Sequence, residues 1–330
     1  MLERRVNYLV NLDFENKVRT RIKKDYIKIS IRGEVEEIKI IDLKDRLNII
    51  LETLLTQKII EMLECLSNFD LRTLLKIIKI ALSSQFIYPP EREAKDEHGK
   101  KYIRYFDFLK AIMQGNNFYY DPTRGESTII QNLFCIGNKN YEWNNLIRIR
   151  ILQCLDYFGD KVHIDKIYKF MESIGYIKEQ VKEEIKNFLQ IDLIESPSNE
   201  GYDLDRDNIQ FLQLTLTGKY YLKVLIKEPT YLDTVKFSTY IDAKDYDNIF
   251  DILKDIKKFS SQERIEARML STEAFIEYIE NEEEKEHQYI IEKNLDLENY
   301  KKLYRVSDIL MSNYKELKEK VLPYSPELEL

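Results

Sequence analysis

The chain has 330 residues, 44% of them hydrophobic, which excludes a disordered polypeptide and leaves room for two or three domains. Its apolar runs are short and broken by Lys or Glu, excluding a membrane-spanning helix, and 9 Gly with 7 Pro point to long helices and few elaborate loops. The net charge of −7 is uneven: residues 261–300 hold 12 acidic against 4 basic side chains, a balance of −8, which leaves the remainder near +1.

Residues 2–24 are basic, and Arg4, Arg5, Arg19, Arg21, Lys23 and Lys24 are the candidate nucleic-acid contacts. Such contacts would be made to phosphates, so binding is expected to be weak and strongly salt-dependent. Tyr26 to Ile31 and Val35 to Ile40 alternate polar with apolar around Arg32-Gly33, which predicts a small β-hairpin closing a segment over 1–41.

A helical unit is expected over 42–140. Asp42 can cap a helix carrying Leu43, Leu47, Ile50, Leu51, Leu54 and Leu55, and the helical run continues to Leu66. Ser67-Asn-Phe-Asp70 interrupts the pattern, and Asp70 caps a helix from Leu71 to Leu82. Tyr88-Pro-Pro90 ends this group, Glu91 to Lys101 is a charged loop holding His98, and Phe106 to Met113 is a short helix. Ile129 to Phe134 has the composition of a buried segment, and Gly137 to Asn140 links it to the next unit.

Residues 141–241 carry the most legible pattern. Leu146, Ile149, Leu152 and Leu155 fall at helical spacing after Trp143, a packing anchor, and Gly159-Asp160 stops the helix. Ile164, Ile167, Phe170 and Met171 give a second helix that ends at Gly175; Val181, Ile185, Phe188 and Leu189 give a third. A strand over Ile191 to Glu195, a turn at Ser196-Pro-Ser-Asn-Glu-Gly201 and a strand over Gln210 to Leu216 come next, and Thr217-Gly218 opens a fourth helix. Three helices, a two-stranded wing and a closing helix make the winged-helix pattern, whose core would gather Leu146, Ile149, Leu152, Ile167, Phe170, Ile185 and Phe188 as a separable unit. Tyr231 to Ile241 is aromatic and β-rich, so an extended segment is expected there. Asp245 to Phe259, Glu263 to Glu286 and Leu297 to Val321 are amphipathic helices of an acidic region over 242–330.

No phosphate-binding GxxxxGK[ST], GxGxxG, HExxH or GxSxG occurs, so the chain is not expected to be an enzyme on its own. His98, His163 and His287 lie in three different segments, and Cys65, Cys135 and Cys154 stand far apart as small core residues. No metal is expected, no signal sequence is read at the start, and unpaired cysteines suit a reducing cytoplasm. The third helix matches three Lys (Lys178, Lys182, Lys186) with three Glu (Glu179, Glu183, Glu184), a neutral balance that favours protein docking over duplex binding.

Asn68-Phe-Asp-Leu-Arg-Thr-Leu-Leu75 resembles the start of the second-sensor helix in the lid of AAA+ ATPases, where a Gly-Asp-x-Arg pattern presents an arginine to nucleotide. Asp70 and Arg72 match that pattern, and Phe69 stands where it has Gly. A helical pack with this signature, followed by a winged helix ending in Leu214-Thr-Leu-Thr-Gly-Lys-Tyr-Tyr221, resembles the carboxy-terminal half of origin-recognition-type AAA+ ATPases and STAND-type signalling NTPases. The resemblance covers roughly Asp42 to Ile226 and omits the phosphate loop and the Mg²⁺-holding strand. It implies a mainly α chain: a lid-like bundle, a winged helix and C-terminal helices. It also implies a regulatory, partner-binding portion of an ATP-driven switch in genome maintenance or anti-phage defence, with Arg72 and Asp70 as nucleotide-contact candidates. ATP and Mg²⁺ would be held by a partner core and not by this chain alone. The alternative is a stand-alone winged-helix transcription regulator or an oligomerising scaffold.

Overall fold

The computed structural model describes residues 26–31, 34–84, 86–87, 93–95, 98–115, 120, 129–134, 146–197 and 209–321. The fold is mainly helical, with small antiparallel sheets. No described helix is long and apolar enough to cross a membrane.

The expected hairpin is present: β1 (Tyr26–Ile31) pairs antiparallel with β2 (Glu34–Lys39) in a register that sets Ile31 opposite Glu34. The next helix, α1 (Ile40–Leu54), begins two residues before the expected cap at Asp42. It is followed by α2 (Gln57–Ser67) and α3 (Leu71–Ser83). The segment expected as a charged loop holds a second hairpin, β3 (Glu93–Lys95) with β4 (Lys101–Ile103). Thr53 ties this hairpin to α1: its hydroxyl donates to the Ile49 carbonyl at 2.6 Å and accepts from the Ile103 amide at 2.8 Å. The short helix α4 (Tyr105–Gln114) buries Phe108, Leu109, Ile112 and Met113 beside α3.

Residues 129–134 are irregular yet buried, which requires partners for every backbone polar group. Two tyrosines supply several. Tyr231 donates to the Gln131 carbonyl at 2.9 Å and accepts from the Leu133 amide at 2.9 Å, while Tyr221 accepts from the Gln131 amide at 2.8 Å.

The second unit runs α5 (Ile147–Phe158), β5 (Val162–His163), α6 (Ile164–Ser173), α7 (Lys178–Gln190), β6 (Ile194–Glu195), β7 (Phe211–Leu214) and α8 (Leu216–Lys223). Gly159 and Gly175, at φ of 83° and 98°, end the first two helices as their spacing predicted. The strands form one antiparallel sheet in the order β5-β7-β6. The expected strands are shorter than their alternating residues suggested, because Asp192 turns the chain at φ 56° before β6 and Thr215 caps α8 after β7. β5, only two residues long, left no periodic signal. All seven expected core residues from Leu146 to Phe188 are buried.

After α8 the expected extended segment is instead a helix, α9 (Pro229–Val235), which corrects the sequence reading of 231–241. Pro229 occupies the first turn, where its missing N–H costs nothing, and Tyr231, Leu232 and Val235 face the interior at helical spacing. Burial outweighs the β preference of this aromatic stretch. α10 (Ala243–Phe250), the 32-residue α11 (Ser261–Glu292), α12 (Leu297–Tyr300) and α13 (Val306–Val321) complete the chain. The single helix expected from Leu297 to Val321 is two, separated at 301–305. Buried apolar residues form one continuous cluster from Leu54 to Tyr314, so hydrophobic contact crosses the expected boundaries near 141 and 242.

Candidate functional site

The corner between α2 and α3 carries the residues singled out from sequence. Asn68 and Phe69 both take left-handed backbone conformations, φ 48° and 61°, which turn the chain through the corner. A left-handed phenylalanine is sterically disfavoured, and glycine would enter that geometry freely. Phe69 takes this conformation while 71% exposed. Asp70 caps α3 by accepting from the Thr73 amide at 2.7 Å. Hydrogen bonds from Thr73, its side chain first and its amide second, hold the Asp70 carboxyl below its ordinary value. Arg72 leaves the first turn of α3 into solvent and makes no ion pair among the described residues.

This corner sits against the second unit. Thr217, on α8, donates to the Cys65 carbonyl of α2 at 2.7 Å. Gly218 fits because a Cβ there would lie 2.1 Å from the Leu193 carbonyl oxygen. Asp192, in the turn before β6, is raised above the ordinary carboxyl value by burial first and by the Asp70 charge second. The structure thus places Asp70 and Arg72 together on one exposed corner.

The third helix, α7, shows a different balance from the one counted along its sequence. Glu184 is buried and accepts from Arg148 Nε at 2.7 Å, while the same guanidinium donates to the Asn132 carbonyl at 2.8 Å. The outward face then carries Lys178, Lys182 and Lys186 against Glu179 and Glu183, a balance of +1 in place of zero. Most of the turn between β6 and β7, residues 198–208, lies outside the described residues, as do Arg4, Arg5, Arg19, Arg21, Lys23, Lys24, Cys135 and Trp143.

No group of metal-ligating side chains forms among the described residues. His163 caps α6, accepting from the Asp165 amide at 3.3 Å, and His287 stacks on Tyr300. Burial pushes the Cys154 thiol up to about 12 and raises that of Cys65 as well, so neither is a ready nucleophile at neutral pH.

Sequence reasoning missed the buried charges. Arg150 is 1% exposed and donates to Glu286 at 2.6 Å, to Glu283 at 3.0 Å, to Gln153 at 2.9 Å and to the Tyr304 carbonyl at 3.2 Å. Tyr176 donates to Glu286, and Glu283 accepts from the amides of Val306 and Ser307 at 2.8 and 3.0 Å, which caps α13. Burial disfavours the Arg150 charge, but Glu286 and then Glu283 hold it firmly protonated. Lys236, fully buried, lies 2.9 Å from Asp233 and donates to Thr272 at 3.1 Å; Arg268 pairs with the same aspartate. The one available signal was the pair of arginines in the apolar run Leu146-Ile-Arg-Ile-Arg-Ile151.

No family model, curated protein or solved structure matches the chain.

Proposed function

We propose that residues 146–223 form a winged helix seated on a lid-like helical pack, and that the chain is a non-catalytic, partner-binding portion of an ATP-driven switch. The nucleotide and its Mg²⁺ would be held by a core outside these residues, in genome maintenance or anti-phage defence. The observation that carries this reading is the α2–α3 corner: a capped helix start, a left-handed residue where the resembled pattern has glycine, and an exposed arginine with no ion pair among the described residues. A guanidinium at such a position can reach a γ-phosphate presented by a neighbour and register its loss. The helix order with the sheet order β5-β7-β6 supports the winged-helix assignment.

The purified chain is expected to release no phosphate from Mg-ATP, because nothing in its sequence cradles phosphates. Steady release that Arg72→Ala abolishes would make the chain an ATPase in its own right and overturn the reading.

A stand-alone winged-helix regulator is favoured by one observation, the +1 outward face of α7 once Glu184 turns inward. Duplex binding that Lys178→Gln and Lys182→Gln weaken, with a reduced salt slope, would select it.

A further inference from the structure

The start of α10 and the C-terminal half of α11 leave an open groove between them, lined by Asp242, Asp245, Glu284, Lys285, Tyr289 and Glu292. Two lysines, Lys244 and Lys285, line it as well, against four carboxylates, and Lys285 is already engaged: its Nζ lies 2.7 Å from Glu282. The Lys285 ammonium is held charged first by that bond, then by the charges of Glu282, Asp245 and Asp242. The groove therefore presents net negative charge.

An aromatic shelf adjoins it. Phe237, Tyr240 and Tyr246 are 49%, 62% and 51% exposed, and the first and last rings pack on Phe250 at 5.3 and 4.5 Å. Tyr278 donates to the Tyr240 carbonyl at 3.3 Å, which places Tyr240 less than one turn of α11 before Asn281 at the groove. Half-exposed aromatic rings beside carboxylates suit a cationic, partly apolar polypeptide, since guanidinium and ammonium groups settle on ring faces. Nucleic acid and anionic surfaces would be repelled there.

The chain itself contains such a polypeptide. Residues 1–24 hold seven Lys or Arg against Glu3, Asp13 and Glu15, a balance of +4, and Leu2, Val6, Val10, Phe14, Val18 and Ile22 recur every four residues. Twenty-four residues span up to about 80 Å when extended, more than the roughly 50 Å width expected of a compact fold this size. We propose that the α10–α11 groove docks the chain's own basic segment, residues 1–24, and so withholds its cations from nucleic acid.

Limited trypsin digestion of the full chain tests this, reading cleavage after Arg19, Arg21, Lys23 and Lys24 by mass spectrometry at about 50 mM salt. Asp245→Asn/Glu284→Gln/Glu292→Gln is expected to speed cleavage about fivefold, an effect lost in high salt. Glu179→Gln/Glu183→Gln on α7 should leave the rate unchanged. Tyr240→Ala/Tyr246→Ala, which alters no charge, is expected to speed cleavage about threefold, and circular dichroism establishes that each variant is folded. Equal rates in the wild-type chain and both folded groove variants would overturn the proposal. A wild-type rate that falls as protein concentration rises would mean that a second copy fills the groove, which overturns docking within one chain.

Discussion

Asp70 and Arg72 stand two residues apart and do different work. The Asp70 carboxylate is committed to Thr73, and because its folded value is lowered, its contribution is present above the unfolded value, for which 3.8 is the ordinary figure. The contribution disappears as pH falls through the folded value. Asp70→Ala is therefore expected to lower stability at pH 7 and to converge on the parent chain as the pH falls through the lowered folded value, where the wild-type carboxyl also becomes protonated; equilibrium denaturation followed from neutral pH down the acid range checks this. Arg72, exposed and without an ion pair among the described residues, has little packing to lose, so Arg72→Ala should shift unfolding free energy by less than about 0.5 kcal/mol. A loss above about 2 kcal/mol would assign Arg72 a structural role.

At the scale of elements, the joint between α8 and the turn before β6 depends on close backbone approach. Gly218→Ala is expected to cost about 2 to 4 kcal/mol, because the nearest atom to the new methyl is a main-chain oxygen that cannot swing aside. Chemical denaturation measures it, and a cost below about 0.5 kcal/mol would mean that the joint gives way easily. Most helices here were legible from sequence because their signals are local: Asp70 as a cap, Gly159 and Gly175 as stops, Val181 to Leu189 as an apolar stripe. Tyr231 to Val235 was misread since aromatic and β-branched residues favour strands until an interior face is supplied for them. Val162-His163 is too short to carry a period. Of the candidate site, the Asp70 cap and the exposed Arg72 were legible. The inward turn of Glu184 was not, because it depends on Arg148, 36 residues away.

Across the whole molecule, Arg150 joins α5 to α11, to the 301–305 turn and, through Glu283, to the start of α13. Removing it leaves two buried carboxylates with one fewer cation, so Arg150→Met is expected to cost about 3 to 5 kcal/mol, read from denaturant unfolding. Restoring the original charge balance with Glu286→Gln in the same chain should recover part of that loss. A cost below about 1 kcal/mol would mean that the C-terminal helices dock without this hub. That docking leaves the α2–α3 corner exposed, as it must be if Arg72 serves a neighbouring core. The most direct measurement replaces Arg72 with a photo-cross-linking amino acid in the cells that make the protein and identifies what it captures. The expected capture is a polypeptide bearing a phosphate-binding loop, in a yield that drops when cellular ATP is depleted. Capture of a second copy alone, or of nothing while the chain remains folded, would contradict a role for Arg72 at a neighbouring ATPase core.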